Sequence, residues 1–264
     1  MYDVCNTETT KDRVDVFISY LALTRLTNRW SDNMNSTKDC IHSSAGGAAE
    51  AHKSIELAGS TLGNHYHICA FFHSSDEEYP LLLPFIKEGL DRGEKAFHVV
   101  DPNLRDEHLR HLESVGIETG AVEHSGQLEL RNWHEAYLCD GHFDQNRMLA
   151  LLQSVLDEAR QQGFPLTRLV AHMEWALEDR PGVNDIVEYE TRLNYFLHRY
   201  SDPVVCVYDL AQFGAAAVID IMRTHPMIII GGVLQENPFF VPPDDFLCEL
   251  RKRQTQYNNK AAAS

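Results

Sequence analysis

Residues Tyr66–Ser75 read YHICAFFHSS. The run is apolar, short and stopped by two serines, which is the pattern of a buried strand. Side chains alternate faces along a strand. His67, Cys69, Phe71 and His73 are therefore expected on one face, with Ile68, Ala70 and Phe72 on the other. Ser75 and Glu78 have capping-box spacing, so a helix is expected to follow directly and run to Arg92. Its apolar stripe is Leu81, Leu82, Phe85, Ile86 and Leu90. Pro80 is tolerable in the first turns, Pro84 is expected to bend the helix, and Gly93 suits its end.

The same alternation continues along the chain. Strands are predicted at Lys95–Val100, Gln127–Arg131, Leu166–Met173, Val204–Tyr208 and Met227–Ile230. Helices are predicted at Asp106–Ser114, Phe143–Gln162, Asn184–Tyr200, Ala215–Arg223 and Asp244–Arg253. The runs VVCVY and MIII are apolar throughout, as strands covered on both faces must be. Strand–helix alternation implies right-handed crossovers and an α/β fold: a mostly parallel sheet flanked by helices on both faces. Residues 1–60 differ. They hold one stretch of helical period, Val14–Leu26, and a Ser-, Asn-, Gly- and Ala-rich tract over Ser31–Ala51, so they are expected to form a largely flexible extension. Residues 61–253 form the folded domain in this reading, and residues 254–264 a disordered tail.

Composition narrows the function. The chain has 264 residues, is 44% hydrophobic and carries a formal net charge of −16. Such a surface repels nucleic-acid phosphates, so direct nucleic-acid binding is not expected. The six cysteines make no C-x-x-C pair, and Cys69 and Cys206 lie in apolar runs where a thiol packs as a small hydrophobe. A reduced, cytoplasmic protein fits this usage. No signal peptide is visible at MYDVCNTETTKD, and no apolar run approaches a membrane span.

In a parallel sheet the ligand crevice lies beyond the C-terminal strand ends. That rim is expected to collect His73, Ser74 and Ser75 from the first strand and Asp101 from the second. Later strands add His172, Glu174 and Trp175, then Tyr208 and Asp209, then the Gly231–Gly232 pair with Gln235, Glu236 and Asn237 beyond. Glu174 and Trp175 suit an acid and an aromatic wall for a small ligand. Asp209 also suits the simpler role of capping the turn after its strand. His67 and Cys69 have two readings. They are packed core residues, or they are soft-metal ligands completed by Cys206 and His225.

The loop after the first strand, HSSDEEYP, contains no glycine and three acids. It cannot cradle a triphosphate as G-x-x-x-x-G-K-[ST] does. G-x-S-x-G and H-E-x-x-H are also missing. Binding without chemistry is the reading these absences favour.

HICAFFHSSDEEYPLLLPFIKEGLDRGEKAFHVV, GQLELRNWHEAYL, HMEWAL, VCVYDLAQF and MRTHPMIIIGGVLQENPFF together resemble the MEDS domain, the sensory domain of the dichloromethane-operon-repressor type. The likeness runs from about Leu62 to Arg253. It implies a RecA/KaiC-like three-layer sandwich lacking a P-loop. It also implies a prokaryotic signalling module that senses simple hydrocarbon derivatives, with the H-x-C segment His67 and Cys69 in ligand or metal contact. Such domains usually adjoin a helix-turn-helix or kinase module, and neither is visible here. The output partner is then expected to be a separate kinase or transcription regulator, with homo-oligomerisation left open.

The resulting expectation is a non-catalytic sensor. His67, Cys69 and His73 line one wall of its pocket and Glu174 and Trp175 another, with Tyr208, Asp209 and His225 nearby. No cofactor is assigned. Two rivals stay open: a metal-dependent enzyme on His67, Cys69, Cys206 and His225 with Glu174 as base, and a docking scaffold that keeps only the shape of an ATPase.

Overall fold

A computed structural model describes residues 54–63 and 66–263. The expectations for Val14–Leu26 and Ser31–Ala51 lie outside the described residues. Described structure begins with a hairpin of β1 (Ile55–Leu57) and β2 (Ser60–Leu62), paired antiparallel. Its two-residue turn, Ala58–Gly59, has positive φ at both positions, as the twist of a tight hairpin demands. Ile55, Leu57 and Leu62 are buried against the helix that follows β3. The boundary expected at residue 60 therefore cuts through a packed hairpin.

The strand β3 (His67–Phe72) is followed by α1 (Ser75–Asp91). The N-cap is Ser74, one residue before the expected Ser75, and its side chain makes no capping bond. Instead Glu77 accepts from the His73 N–H at 2.9 Å. Three acids in the first turn complement the positive end of the helix. The helix runs on through both Pro80 and Pro84.

The remaining elements are β4 (Lys95–Val100), α2 (Arg105–Ser114), α3 (Thr119–His124), β5 (Leu128–Asn132), α4 (Gln145–Gln161), β6 (Thr167–His172), α5 (Ile186–Leu197), β7 (Val204–Asp209), α6 (Ala215–Thr224), β8 (Met227–Ile230), β9 (Val233–Glu236) and α7 (Pro243–Ala263). One seven-stranded sheet has the order β5-β4-β6-β7-β3-β8-β9. Every pairing in it is parallel except β8–β9. The α/β class and the mostly parallel sheet are as the alternating pattern implies.

β9 departs from the expectation. Gly231 and Gly232 have φ of 57° and 78° and form a two-residue hairpin turn rather than a rim loop. The chain doubles back, so Gln235 pairs with Ile228 and Glu236 with Met227. The residues expected beyond the rim thus return along the sheet edge. The tail also differs: α7 continues helical to Ala263. Phe246 is fully buried beneath it, and Arg223 grips Glu249 from α6.

The sheet separates two apolar layers. Cys69 and Phe71 of β3 join Cys206 and Tyr208 of β7 in a core covered by α4, α5 and α6. Ile68, Ala70 and Phe72 join Val205 and Val207 in the opposite core, covered by α1, α2 and the hairpin. The alternation along YHICAFF holds through Phe72, where the strand ends. On the second face Arg168 of β6 is buried and donates to Glu94 at 2.6 Å and to the Phe85 carbonyl at 2.5 Å. A Cβ at Gly89 would lie 2.6 Å from the Arg168 Nε, so glycine is required there for α1 to approach.

Candidate functional site

The C-terminal ends of β3, β4, β6 and β7 open into a cavity of about 480 Å³. Its floor is Phe72, Val100, Val207 and Tyr208, and its walls carry Glu78, Asp101, Glu107, Glu174, Glu178 and Asp209. Among the described residues no lysine or arginine lines it. The volume lies within the range of small-molecule sites, and six carboxylates against two histidines give the cavity a negative field.

Two histidines of the cavity differ in kind. His172, at the end of β6, has Nε2 at 2.7 Å from Glu78 Oε1 and Nδ1 at 3.4 Å from the Val99 carbonyl. Both ring nitrogens face acceptors, so both are donors and the ring is an imidazolium. Burial opposes that charge, but the Glu78 carboxylate outweighs it and holds the pKa up at about 9. His108 faces other neutral groups: Nδ1 meets the Tyr79 hydroxyl at 2.9 Å and Nε2 meets His98 Nδ1 at 3.0 Å. Burial and the neighbouring imidazoles push His108 well below the ordinary histidine range, and burial takes His98 down to about 3.

The carboxylates are partly committed. Glu174 accepts from the Asp209 N–H at 3.1 Å, and burial raises its pKa. Asp209 accepts from the Ala211 N–H at 2.8 Å and from the Gln212 amide at 2.7 Å. It caps the turn after β7, the simpler of its two expected roles.

A second polar cluster lies inside the α4–α6 layer, out of contact with water. His67 opens β3, Cys206 sits on β7, Glu190 on α5 and His225 just before β8. All four are buried, and their donor atoms lie within 4.8 Å of one another. Glu190 Oε2 is 3.1 Å from His67 Nε2 and 3.4 Å from His225 Nε2. The Tyr208 hydroxyl donates to Glu190 Oε1 at 3.2 Å. Burial and His225 together lower the pKa of His67.

The family model of the MEthanogen/methylotroph, DcmR Sensory domain matches residues 66–226. The chain belongs to the MEDS family. The match spans β3 through α6 and contains every residue of both the rim cavity and the buried cluster. It is narrower than the likeness read across Leu62–Arg253. A curated relative, the transcriptional repressor DcmR of Methylorubrum extorquens (strain DSM 6343 / CIP 106787 / DM4), is 28% identical over 175 residues. The alignment covers 64% of this chain and 62% of the repressor. A solved KaiC-like protein of Pyrococcus horikoshii OT3 superposes with a TM-score of 0.46 at 14% identity, covering 62% of this chain and 70% of that one.

In this MEDS domain the expected site residues fall into separate places. Glu174, Tyr208 and Asp209 line the rim cavity. His67, Cys206 and His225 meet in the buried cluster, where they cannot line that cavity. Cys69 stands beside the cluster, but its thiol is directed to the Met227 carbonyl at 3.7 Å. His73 is exposed, because β3 ends before it and the strand alternation no longer applies. Trp175 is fully buried and stacks on Tyr137 with ring centroids 4.4 Å apart, so it is a core residue rather than a cavity wall.

Five contributors are absent from the expected site: Glu78, Glu107, His108, Glu178 and Glu190. Glu190 had a detectable signal. With Ile186, Leu193 and Leu197 it occupies the inward stripe of α5, and a carboxylate in such a stripe requires a buried partner. Glu78 and His108 had none, since on their helices they read as solvated polar residues.

Proposed function

We propose that the chain is a non-catalytic sensory module that takes a small uncharged or cationic organic molecule in the rim cavity. The observation that carries this reading is the cavity itself: about 480 Å³, open at the strand ends and lined, among the described residues, by six carboxylates and by no lysine or arginine. That field repels phosphates and carboxylates. Neutral hydrocarbon derivatives and amines are admitted, with the aromatic and aliphatic floor supplying apolar contact. Membership of a sensory-domain family supports the same reading.

Absence of chemistry is part of the proposal. At the rim, among the described residues, no serine hydroxyl is hydrogen-bonded to an imidazole, and Glu78 and Asp209 are already engaged. Output would pass to a kinase or transcription regulator, by the difference in ligand affinity between two states of the domain. The matched relative's role in repression favours transcriptional control. A cytoplasmic setting suits Cys69 and Cys206, which lie opposite each other in register yet remain free thiols.

The test is a thermal-shift screen followed by calorimetry. The panel holds one- and two-carbon alcohols, halides and amines, larger homologues, and organic acids and nucleotides as counter-probes. The expected result is a rise in Tm with a neutral or cationic compound, abolished by Glu174→Gln, and no response to phosphates. Tighter binding of a nucleotide than of any neutral compound would sink the proposal, as would an unchanged response in Glu174→Gln.

A further inference from the structure

We propose that His67, Glu190, Cys206 and His225 form a closed four-ligand site for a divalent transition-metal ion of the zinc class. The site is separate from the rim cavity and does not depend on what that cavity binds.

Geometry is the first support. Neighbouring donor atoms are 3.1 Å (His67 Nε2 to Glu190 Oε2), 3.4 Å (His225 Nε2 to the same oxygen), and 3.8 Å from Cys206 Sγ to each of His67 Nε2 and Glu190 Oε2. A tetrahedral zinc ion with nitrogen or oxygen at about 2.1 Å and sulfur at about 2.3 Å has donor–donor edges of about 3.3–3.7 Å. Four of the six donor–donor edges already stand close to that spacing, and all six lie within 4.8 Å.

Protonation is the second. Asn194 Nδ2 donates to the Glu190, Thr191 and Thr224 carbonyls, which leaves its Oδ1 as the acceptor 3.1 Å from His67 Nδ1. The His67 proton is therefore on Nδ1. His225 Nδ1 lies 2.9 Å from the Ile221 carbonyl, and 2.8 Å from a Thr224 hydroxyl whose own proton goes to that same carbonyl. Its proton is likewise on Nδ1. Both Nε2 lone pairs then point at one carboxylate oxygen, and His225 Nε2 has no well-formed hydrogen bond. Lone pairs facing a carboxylate repel. A cation at their centre turns the same arrangement into coordination, with the outer hydrogen bond of each ring fixing its orientation and tautomer. The Tyr208 hydroxyl holds Glu190 Oε1 and turns Oε2 inward.

Charge is the third. Binding replaces the Cys206 S–H bond with a metal–sulfur bond and releases one proton to solvent. Glu190 and the Cys206 thiolate then neutralise a divalent cation, with two neutral imidazoles completing the shell. A neutral complex is what a site wholly enclosed by protein can hold. With four protein ligands no coordination position is left open, which marks the site as structural or sensory rather than catalytic. Cys69, bonded to the Met227 carbonyl, is outside the set.

The experiment uses the full chain, stripped with chelator and titrated with cobalt(II) without oxygen. The expected result is one equivalent bound, a thiolate-to-cobalt charge-transfer band, the intense visible bands of a tetrahedral ion, one proton released per metal, and displacement by zinc. Cys206→Ser should remove the charge-transfer band and weaken binding by about 100-fold or more, while Cys69→Ser leaves the spectrum unchanged. A charge-transfer band that survives Cys206→Ser overturns the proposal. If Cys206→Ser does not fold, the wild-type titration decides alone: substoichiometric binding, or the weak spectrum of a six-coordinate ion, overturns it.

Discussion

The rim cavity and the buried cluster each place a histidine of one sheet against a glutamate of a covering helix, and they make opposite use of the pair. At the rim, His172 lies between the Glu78 carboxylate and the Val99 carbonyl, so both ring nitrogens donate and the ring is a cation. In the cluster, a carbonyl or amide oxygen holds the outer proton of His67 and of His225, leaving their inner lone pairs turned to Glu190. The His–Glu distance alone does not separate the two cases. The number of rings on the carboxylate does: Glu78 serves one imidazole, whereas Glu190 is shared by two. A histidine's chemistry is thus set one bond beyond its nearest neighbour.

The strongest way to break this comparison is to remove each carboxylate. Glu190 is fully enclosed and touches His67, His225, Cys206 and Tyr208. Glu190→Ala should cost about 2–5 kcal/mol in urea unfolding, because it leaves a cavity and strips the buried Tyr208 hydroxyl and Cys206 thiol of their acceptor. Glu174 is only partly buried and holds one backbone N–H. Glu174→Ala should cost about 1 kcal/mol, with loss of rim-ligand binding. Equal losses would mean that the cluster is no more tightly built than the rim.

The next effect concerns pH. His172 has a folded pKa of about 9, above its ordinary 6.5, through Glu78. A raised histidine pKa stabilises the fold fully below pH 6.5, and the contribution disappears as pH rises through 9. At 1.36 kcal/mol per pH unit the change is about 3 kcal/mol. Wild type should therefore lose more stability than Glu78→Gln between pH 6.5 and 9, and NMR should find His172 charged at neutrality only in wild type. Parallel stability curves for the two proteins would remove the imidazolium from the rim.

How much of this was legible in the sequence follows from range. The strand YHICAFF, its alternation and the helix after it are encoded by neighbours two to four residues apart, so the α/β class and the two sheet faces were readable. β9 was not, because a Gly-Gly pair serves equally as a loop at a ligand rim and as a hairpin turn, and only pairing with β8 separates them. The packed hairpin Ile55–Leu62 adjoins a polar tract whose composition masked it. At the sites, residues at strand ends were placed by topology alone, which brought Glu174, Tyr208 and Asp209 to the rim. Trp175 shares that strand end but turns into the core to stack on Tyr137, a choice made by packing. His67, Cys206 and His225 were nameable as metal-capable residues. Their convergence on Glu190 was not, since it joins His67 to residues more than a hundred positions further along the chain.

Tyr208 belongs to both regions, and its substitution is the smallest and sharpest test. Its ring forms part of the cavity floor and its hydroxyl donates to Glu190 at 3.2 Å. Tyr208→Phe keeps the ring and removes one hydrogen bond to a charged group, a loss of about 1–3 kcal/mol. If the hydroxyl orients Glu190 for a metal, the same change should weaken cobalt binding by about 10-fold or more. It should leave rim-ligand affinity measured on metal-free protein unchanged. A linked pair of sites predicts more: wild-type rim affinity should differ between metal-loaded and stripped protein, and Tyr208→Phe should shrink that difference. The coupling must also be reciprocal, with rim ligand shifting cobalt affinity by the same factor. Identical rim affinity with and without metal would make the two regions independent, joined by a shared tyrosine and by nothing that either site can sense.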